Sequence, residues 1–124
     1  MPGLALEGYR IVECGDMVAA AYAAKLMADM GAEVIKIETP AGGDPARQRG
    51  PFPGKIPHPE KSGLFLYLNT NKRGVTLNLE DQRGQDIFQG LIKQADLFIH
   101  NVHPTRMSAL GLDYERGTRV ACAT

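Results

Sequence analysis

The chain is poor in cysteine, with only Cys14 and Cys122 among its 124 residues. These two cysteines lie far apart, and neither belongs to a pattern typical of paired cysteines or of zinc ligands. The sequence therefore argues against a disulfide-stabilised fold and against a structural zinc site. Because free thiols are typical of reducing compartments, we expect a cytoplasmic protein.

The chain also lacks an excess of charge and any long hydrophobic run. Its 14 basic and 14 acidic residues balance, and it contains no block of lysine and arginine. A neutral chain exerts no general attraction on nucleic acid or on an anionic membrane. No segment approaches the roughly 20 apolar residues that a membrane-spanning helix requires, and the start is unlike a signal peptide. We expect a soluble protein that binds neither nucleic acid nor membrane.

Hydrophobic periodicity predicts strands that alternate with helices in a single domain. The predicted strands are 9–14, 34–37, 74–79 and 96–100, the predicted helices are 17–30, 80–94 and 104–110, and a fifth strand begins within 119–123. Segment 64–69 fits either a helical turn or a strand. The alternation predicts an α/β fold, with a parallel sheet and flanking helices.

Three smaller expectations concern the helices. Asp16 is placed to cap the first helix, and Gly31 is placed to end it. The methionines Met17, Met27 and Met30 lie on or near one face of that helix, where core packing is the usual role. In the helix predicted at 80–94, Ile87, Leu91 and Ile92 lie on one face, and Phe88 lies beside that face.

Segment 39–63 is a long loop that contains six of the eight prolines and five of the fourteen glycines. A loop of this length in a small domain is usually functional or disordered. Its glycine-rich part ends at Arg47, and a guanidinium suits the planar recognition of a phosphate. The alternative, which the residues alone favour, is a turn with a solvated arginine.

Polar residues near the predicted strand ends are candidates for ligand binding, because parallel sheets bind ligands beyond the carboxyl ends of their strands. Asn101 follows the fourth predicted strand, and its amide can both donate and accept hydrogen bonds. Lys72 and Arg73 form a cationic pair that suits phosphates. The alternative is that both belong to a solvated turn. His100 and His103 resemble helix caps more than a metal pair, because real sites need three or four ligands. No metal site is predicted.

No catalytic residue is predicted within the chain. Cys14, Asp16 and Lys25 lie near the first strand, but nothing in the sequence pairs any of them with a base. A nucleophile without a neighbouring base or another activating group is weak at neutral pH.

Three runs of sequence resemble the amino-terminal part of the class III CoA-transferases, a superfamily that includes formyl-CoA transferase, carnitine CoA-transferase and alpha-methylacyl-CoA racemase. They are GAEVIKIE at 31–38 with the glycine-rich loop that follows it, LNTNKRGV at 68–75, and ADLFIHNV at 95–102. The resemblance covers about 6–114. It implies that residues 1–124 form one Rossmann-like segment, an incomplete half of the family's large domain.

The resemblance also implies coenzyme A or acyl-CoA as the ligand and a homodimer as the assembly. Its motifs suggest coenzyme A contacts at six positions, namely Val18, Arg47, Lys72, Arg73, Asn101 and Arg106. In the family the catalytic aspartate lies further along than position 124, so this chain is expected to be inactive by itself.

The chain departs from the family pattern at several of these positions. It has Ala19, Ala20 and Ala21 where the family commonly has Ala-Gly-Pro, and Val18 where a glutamine is frequent. Ala109 replaces a common arginine, for which Arg106 is a candidate substitute one helical turn earlier.

Two hypotheses follow from the match and its departures. The chain is a CoA-binding segment of a CoA-transferase or acyl-CoA racemase relative, with the catalytic part elsewhere. Alternatively, it is a catalytically inactive, truncated binding or interaction protein that keeps the fold and dimerises.

Overall fold

The described strands form one parallel sheet in the computed structural model, which describes residues 2–112 and 121–123. They are β1 (Arg10–Cys14), β2 (Glu33–Glu38), β3 (Lys72–Thr76), β4 (Leu97–His100) and β5 (Ala121–Ala123). Their spatial order is β3-β2-β1-β4-β5, and each neighbouring pair is parallel. The predicted α/β class with a parallel sheet is confirmed.

The strand order reverses between β1 and β4. From β1 the chain moves outward through β2 to β3, and it then returns to the other side of β1 to place β4 there. This order is that of doubly wound nucleotide-binding folds, in which the reversal point opens a crevice at the carboxyl edge of the sheet.

Helices cover both faces of the sheet. They are α1 (Ala19–Asp29), α2 (Gly63–Leu68), α3 (Gln82–Lys93) and α4 (Pro104–Ala109). Alanines of α1 pack on one face, against Ile11, Val34 and Ile99. Larger residues of α3 and α4 pack on the other face, against Val12, Ile37 and Phe98. Phe88 of α3 contacts Phe98 edge to face, with ring centroids 5.3 Å apart.

Several element boundaries differ from the prediction. Strand β3 begins at Lys72 and ends at Thr76, whereas 74–79 was expected. The shift occurs because Lys72 is buried by polar partners, and because Leu77 and Leu79 enter the core after the strand has ended. Residues 64–68 of segment 64–69 belong to helix α2, and the Ser62 hydroxyl caps the first turn of this helix. The long loop contains two short 3₁₀ turns, Pro45–Gln48 and Pro53–Lys55.

The helix ends agree with the prediction only in part. Asp16 does not cap α1, because the helix begins later, with Val18 at a cap position that carries no side-chain hydrogen bond. Gly31 does end α1, with a φ of 103° that favours glycine. His103 caps α4 by accepting a hydrogen bond from the Thr105 amide. Of the fifth predicted strand, 119–120 lie outside the described residues.

Two helix residues that were expected in the core are exposed instead. Ile87 of α3 is 53% exposed, because the face that contacts the sheet is centred on Phe88 and Ile92. Met30, at the end of α1, is 43% exposed, whereas Met27 packs against the core.

Candidate functional site

A cleft of about 450 Å³ opens at the carboxyl edge of the sheet, on the face covered by α3 and α4. Its walls come from the segments that follow β1, β2, β3 and β4, together with α4. The apolar lining includes Ile37, Leu77, Leu79, Val102 and Leu110, and the charged lining among the described residues consists of Asp16, Glu80 and Arg106. A volume of this size lies within the range of small-molecule sites.

Asn101 joins the two strands between which the strand order reverses. Its Nδ2 donates to the Asp16 carbonyl at 2.8 Å, and its Oδ1 accepts from the Asp16 amide at 2.9 Å. The amide of Asn101 is therefore bonded to the backbone of the β1–α1 turn, residues 15–18. In this arrangement Asn101 shapes one wall of the crevice, and its direct contact with a ligand stays a prediction.

The charged side chains described in the cleft give it no excess of positive charge. Arg106 lies 2.5 Å from the Glu80 carboxylate, and both side chains are more than half exposed. Burial, together with the nearby Asp44 carboxylate, raises the pKa of Asp16. With two carboxyl groups and one guanidinium, the lining suits an uncharged ring or chain better than a phosphate, unless Arg106 leaves Glu80.

Cys14 also lines the cleft, but its thiol is a poor nucleophile. Burial raises the pKa of Cys14 to about 11, and the Asp16 carboxylate adds to the rise. Because the thiolate is the reactive form, a thiol with so high a pKa is almost entirely inert at neutral pH.

A buried network of charges lies behind the cleft, on the α1 face of the sheet. Lys36 of β2 is at its centre, with only 2% of its side chain exposed. Its ammonium donates to Glu13 at 3.0 Å and to the Gly15 carbonyl at 2.9 Å, and it lies 3.0 Å from Asp44. Burial lowers the pKa of Lys36, but the carboxylates of Glu13 and Asp44 raise it by more.

Lys72 belongs to the same network. Its ammonium donates to Glu13, to the Ala21 carbonyl and to Asn69, each at 2.8 Å. Its side chain is only 2% exposed, so it is not part of a solvated turn. Burial lowers its pKa, although the hydrogen bond to Glu13 opposes the change. All three donors of Lys72 are engaged within the protein.

Asp44 connects this network to the β1–α1 turn. Its Oδ1 accepts from the amides of Met17 at 3.0 Å and Ala46 at 2.8 Å. Met17 has a φ of 59°, a left-handed conformation that is uncommon for a residue other than glycine. The glycine-rich loop therefore fixes the turn that borders the cleft.

This network was not predicted from the sequence, although one signal was available. Glu13 and Lys36 each interrupt an apolar strand at a position that the strand pattern buries. A buried charge demands a partner, but only the register of β1 against β2 shows that these two are adjacent.

Arg47, predicted to face a phosphate, is held inside the protein. It forms two hydrogen bonds with Glu38, at 2.8 and 2.7 Å, and its guanidinium stacks 3.7 Å from the Phe65 ring centroid. The side chain is 17% exposed, so it is not a solvated arginine either. Arg47 ties the long loop to the end of β2.

The six predicted contact residues do not converge on one place. Arg106 lines the cleft, and Asn101 borders it. Arg47, Lys72 and Arg73 line a second, smaller cavity of about 170 Å³ on the other face. Val18, 48% exposed at the start of α1, is not among the residues that line either cavity.

Within residues 2–112 and 121–123, no helix is long and apolar enough to cross a membrane. That part of the chain also contains no group of three or more histidine, cysteine, aspartate or glutamate side chains that could hold a metal ion.

The chain is similar to proteins of one family. The family model described as CoA-transferase family III matches residues 6–121. The human protein named succinyl-CoA:glutarate CoA-transferase is 38% identical over 111 residues, which are 89% of this chain and 24% of that protein. The Thauera aromatica succinyl-CoA:(R)-benzylsuccinate CoA-transferase subunit BbsE is 41% identical over 98 residues, 79% of this chain and 24% of that subunit.

A solved structure shows the same fold. A CAIB/BAIF family protein from Brucella suis superposes with a TM-score of 0.81 at 29% identity, and the match covers 93% of this chain and 30% of that one. The chain thus spans about a quarter to a third of the length of the proteins that it matches.

Proposed function

Because the chain belongs to CoA-transferase family III, we propose that it forms part of a coenzyme A or acyl-CoA site in a class III CoA-transferase or acyl-CoA racemase relative. One observation carries the proposal, the 450 Å³ cleft at the carboxyl edge of the sheet. The cleft adjoins the reversal point between β1 and β4, where α/β sheets of this kind bind their ligands.

The charge of the cleft favours particular parts of the coenzyme. Coenzyme A combines an adenine ring and an uncharged pantetheine arm with negatively charged phosphates. The apolar walls suit the ring or the arm, whereas the phosphates belong at the rim. There Arg106 is the cationic residue of the lining, and it gains a phosphate partner when it leaves Glu80.

The other predicted contact residues receive two kinds of role in this proposal. Asn101 holds the β1–α1 turn at the border of the cleft, and a contact from Val18 to the ligand stays a prediction. Arg47 and Lys72 keep the loop and strand ends in place through their internal partners. Arg73 is 76% exposed on edge strand β3, where it pairs with Glu33. Direct contacts from Arg47, Lys72 and Arg73 to a phosphate stay predictions.

We assign the transfer chemistry to residues outside these 124. The thiol in the cleft is protonated at neutral pH. No catalytic residue was expected within the chain, because its candidate nucleophiles lack an activating base in the sequence. As a separate protein, the chain is proposed to bind without turning over substrate, in the cytoplasm and as a homodimer.

One observation favours a second function. The described residues that line the cleft supply two carboxyl groups and one guanidinium that is already paired, an unfavourable environment for an anionic ligand. If coenzyme A is excluded for this reason, the chain is a catalytically inactive binding or interaction protein that keeps the fold.

The proposal is tested by titrating the 124-residue protein with coenzyme A in a calorimeter. We expect saturable binding that Arg106→Ala weakens about tenfold, since losing one charge-assisted contact is worth about 1.5 kcal/mol. Arg10→Ala is the control, because Arg10 also pairs with one glutamate, Glu33, and lies at the opposite end of β1 from the cleft. It should leave the affinity unchanged.

The other outcomes are equally informative. If Arg73→Ala weakens binding and Arg106→Ala does not, the ligand occupies the smaller cavity. If a folded sample shows no heat with millimolar coenzyme A, the second function replaces the first.

A further inference from the structure

The β1–α1 turn contains a residue in an unfavourable backbone conformation. Met17 has a φ of 59°, and a residue with a Cβ avoids this left-handed region unless its contacts hold it there. Conformations of this kind persist only where the surrounding structure imposes them, and they are concentrated at functional sites. The turn borders the cleft, because Asp16 is one of the residues that line it. The strain at Met17 therefore lies next to the candidate ligand site.

Three side chains from other segments of the chain hold this turn. The Lys36 ammonium donates to the Gly15 carbonyl at 2.9 Å, and Asn101 bonds both the amide and the carbonyl of the next residue. The Asp44 carboxylate accepts from the Met17 amide at 3.0 Å. Of the three side chains, Asp44 is the one that bonds the strained residue itself.

Asp44 is fixed firmly enough to impose the conformation. It is 1% exposed, and its carboxylate lies 3.0 Å from the Lys36 ammonium. The oxygen that bonds Met17 also accepts from the Ala46 amide at 2.8 Å, and the Asp44 amide donates to the Glu38 carboxylate at 2.8 Å. Apart from Met17, these partners belong to β2 or to the loop that follows it. Asp44 therefore transmits the position of β2 and its loop to the β1–α1 turn.

We propose that Asp44 is a positioning residue for the ligand of the cleft. Its hydrogen bond keeps Met17 left-handed, and this conformation sets the direction in which the chain continues from Asp16 to α1. Without the bond Met17 relaxes to a negative φ, and the peptide groups beside it rotate and move Asp16 in the cleft wall. Asp44 is not among the described residues that line the cleft, so it acts on the ligand through the turn. The inference rests on the proposed function, because it takes the cleft as the ligand site.

Calorimetric titration of Asp44→Ala with coenzyme A tests the positioning role. We expect the affinity to fall about tenfold, the effect of losing one hydrogen bond to a charged acceptor. Adding Met17→Gly should recover most of this loss, because glycine adopts the left-handed conformation without help from a carboxylate. Adding Met17→Ala is the matched control and should recover none, because alanine removes the same side chain but keeps the Cβ. A general loss of loop structure would not respond to this difference.

An NMR measurement without ligand follows the turn itself. A positive φ brings the amide proton of a residue close to its own Hα, so Met17 should give a strong intraresidue NOE in the original chain. This NOE should weaken in Asp44→Ala, and circular dichroism establishes that the variant is folded.

Met17→Pro reaches the same contact from its other side, should Asp44→Ala fail to fold. Proline has no amide proton for Asp44 to accept and holds φ at about −65°, while the pair of Asp44 with Lys36 is left in place. This variant should weaken coenzyme A binding about tenfold or more. Unchanged affinity in a folded Met17→Pro sample overturns the proposal.

The remaining outcomes separate this inference from the proposed function. If the original chain gives no heat with millimolar coenzyme A, the proposed function fails and the inference fails with it. If the original chain binds and Asp44→Ala binds equally well, only the positioning role is overturned. It is also overturned if Met17→Gly restores no more affinity than Met17→Ala, or if the strong Met17 NOE persists in Asp44→Ala.

Discussion

Replacing Glu13 by glutamine is expected to lower the free energy of unfolding by about 3–5 kcal/mol. Glu13 has no exposed surface, and its two oxygens accept from Lys36 and Lys72 separately. Glutamine keeps the volume but removes the charge and turns one acceptor into a donor. Lys72 then loses the Glu13 carboxylate, and its ammonium keeps hydrogen bonds to two neutral groups, the Ala21 carbonyl and Asn69.

The control for this prediction is Glu33→Gln. Glu33 lies on the neighbouring strand and also pairs with two cations, Arg10 and Arg73, but it is one-third exposed. Exposed pairs contribute about 1 kcal/mol or less, so this variant should lose little stability. Urea unfolding of both variants measures the difference. Equal, small losses would show that the buried network does not stabilise the sheet.

Gly84→Ala is expected to destabilise the protein by about 3 kcal/mol, although alanine is the better helix former. Gly84 is buried in the first turn of α3, where an added Cβ would lie 1.9 Å from the Asn78 carbonyl oxygen. Backbone cannot move aside as a flexible side chain can, so the helix must shift away from the segment after β3. That segment includes Asn78 and Glu80, which line the cleft.

Gly90→Ala in the same helix should have the opposite sign. Gly90 is exposed, and an added Cβ there meets nothing within 4 Å. Only the helix propensity changes, so we expect a gain of up to about 1 kcal/mol. Thermal unfolding compares the two variants directly. If Gly84→Ala is as stabilising as Gly90→Ala, the contact between α3 and the cleft wall is not the close packing described here.

The sequence was sufficient for the class of fold because short segments with strand patterns alternate with segments that have helix patterns. Gly31 shows how a local rule succeeds, since a left-handed residue at a helix end depends only on its neighbours in sequence. Ile87 shows the limit of periodicity, because Phe88 on the adjacent position decides which side of α3 meets the sheet.

The arrangement of the site was harder to predict because it depends on contacts between distant segments. Lys72 and Arg47 have the residue types of a phosphate site, yet both are satisfied by carboxylates that the fold brings to them. Glu13 and Lys36 are 23 positions apart, and only the parallel register makes them neighbours. The prediction of ligand contacts from charge alone could not account for these internal partners.

In the function that we propose, the coenzyme binds in the cleft at the carboxyl edge of the sheet. An amide-resolved NMR titration of the 124-residue protein with coenzyme A tests this location. We expect saturable shifts at Asp16, at Val102 and in the segment 77–80, with the amides of β3 unchanged. Shifts confined to the neighbourhood of Arg47 and Arg73, or no shifts at millimolar coenzyme A, would contradict it.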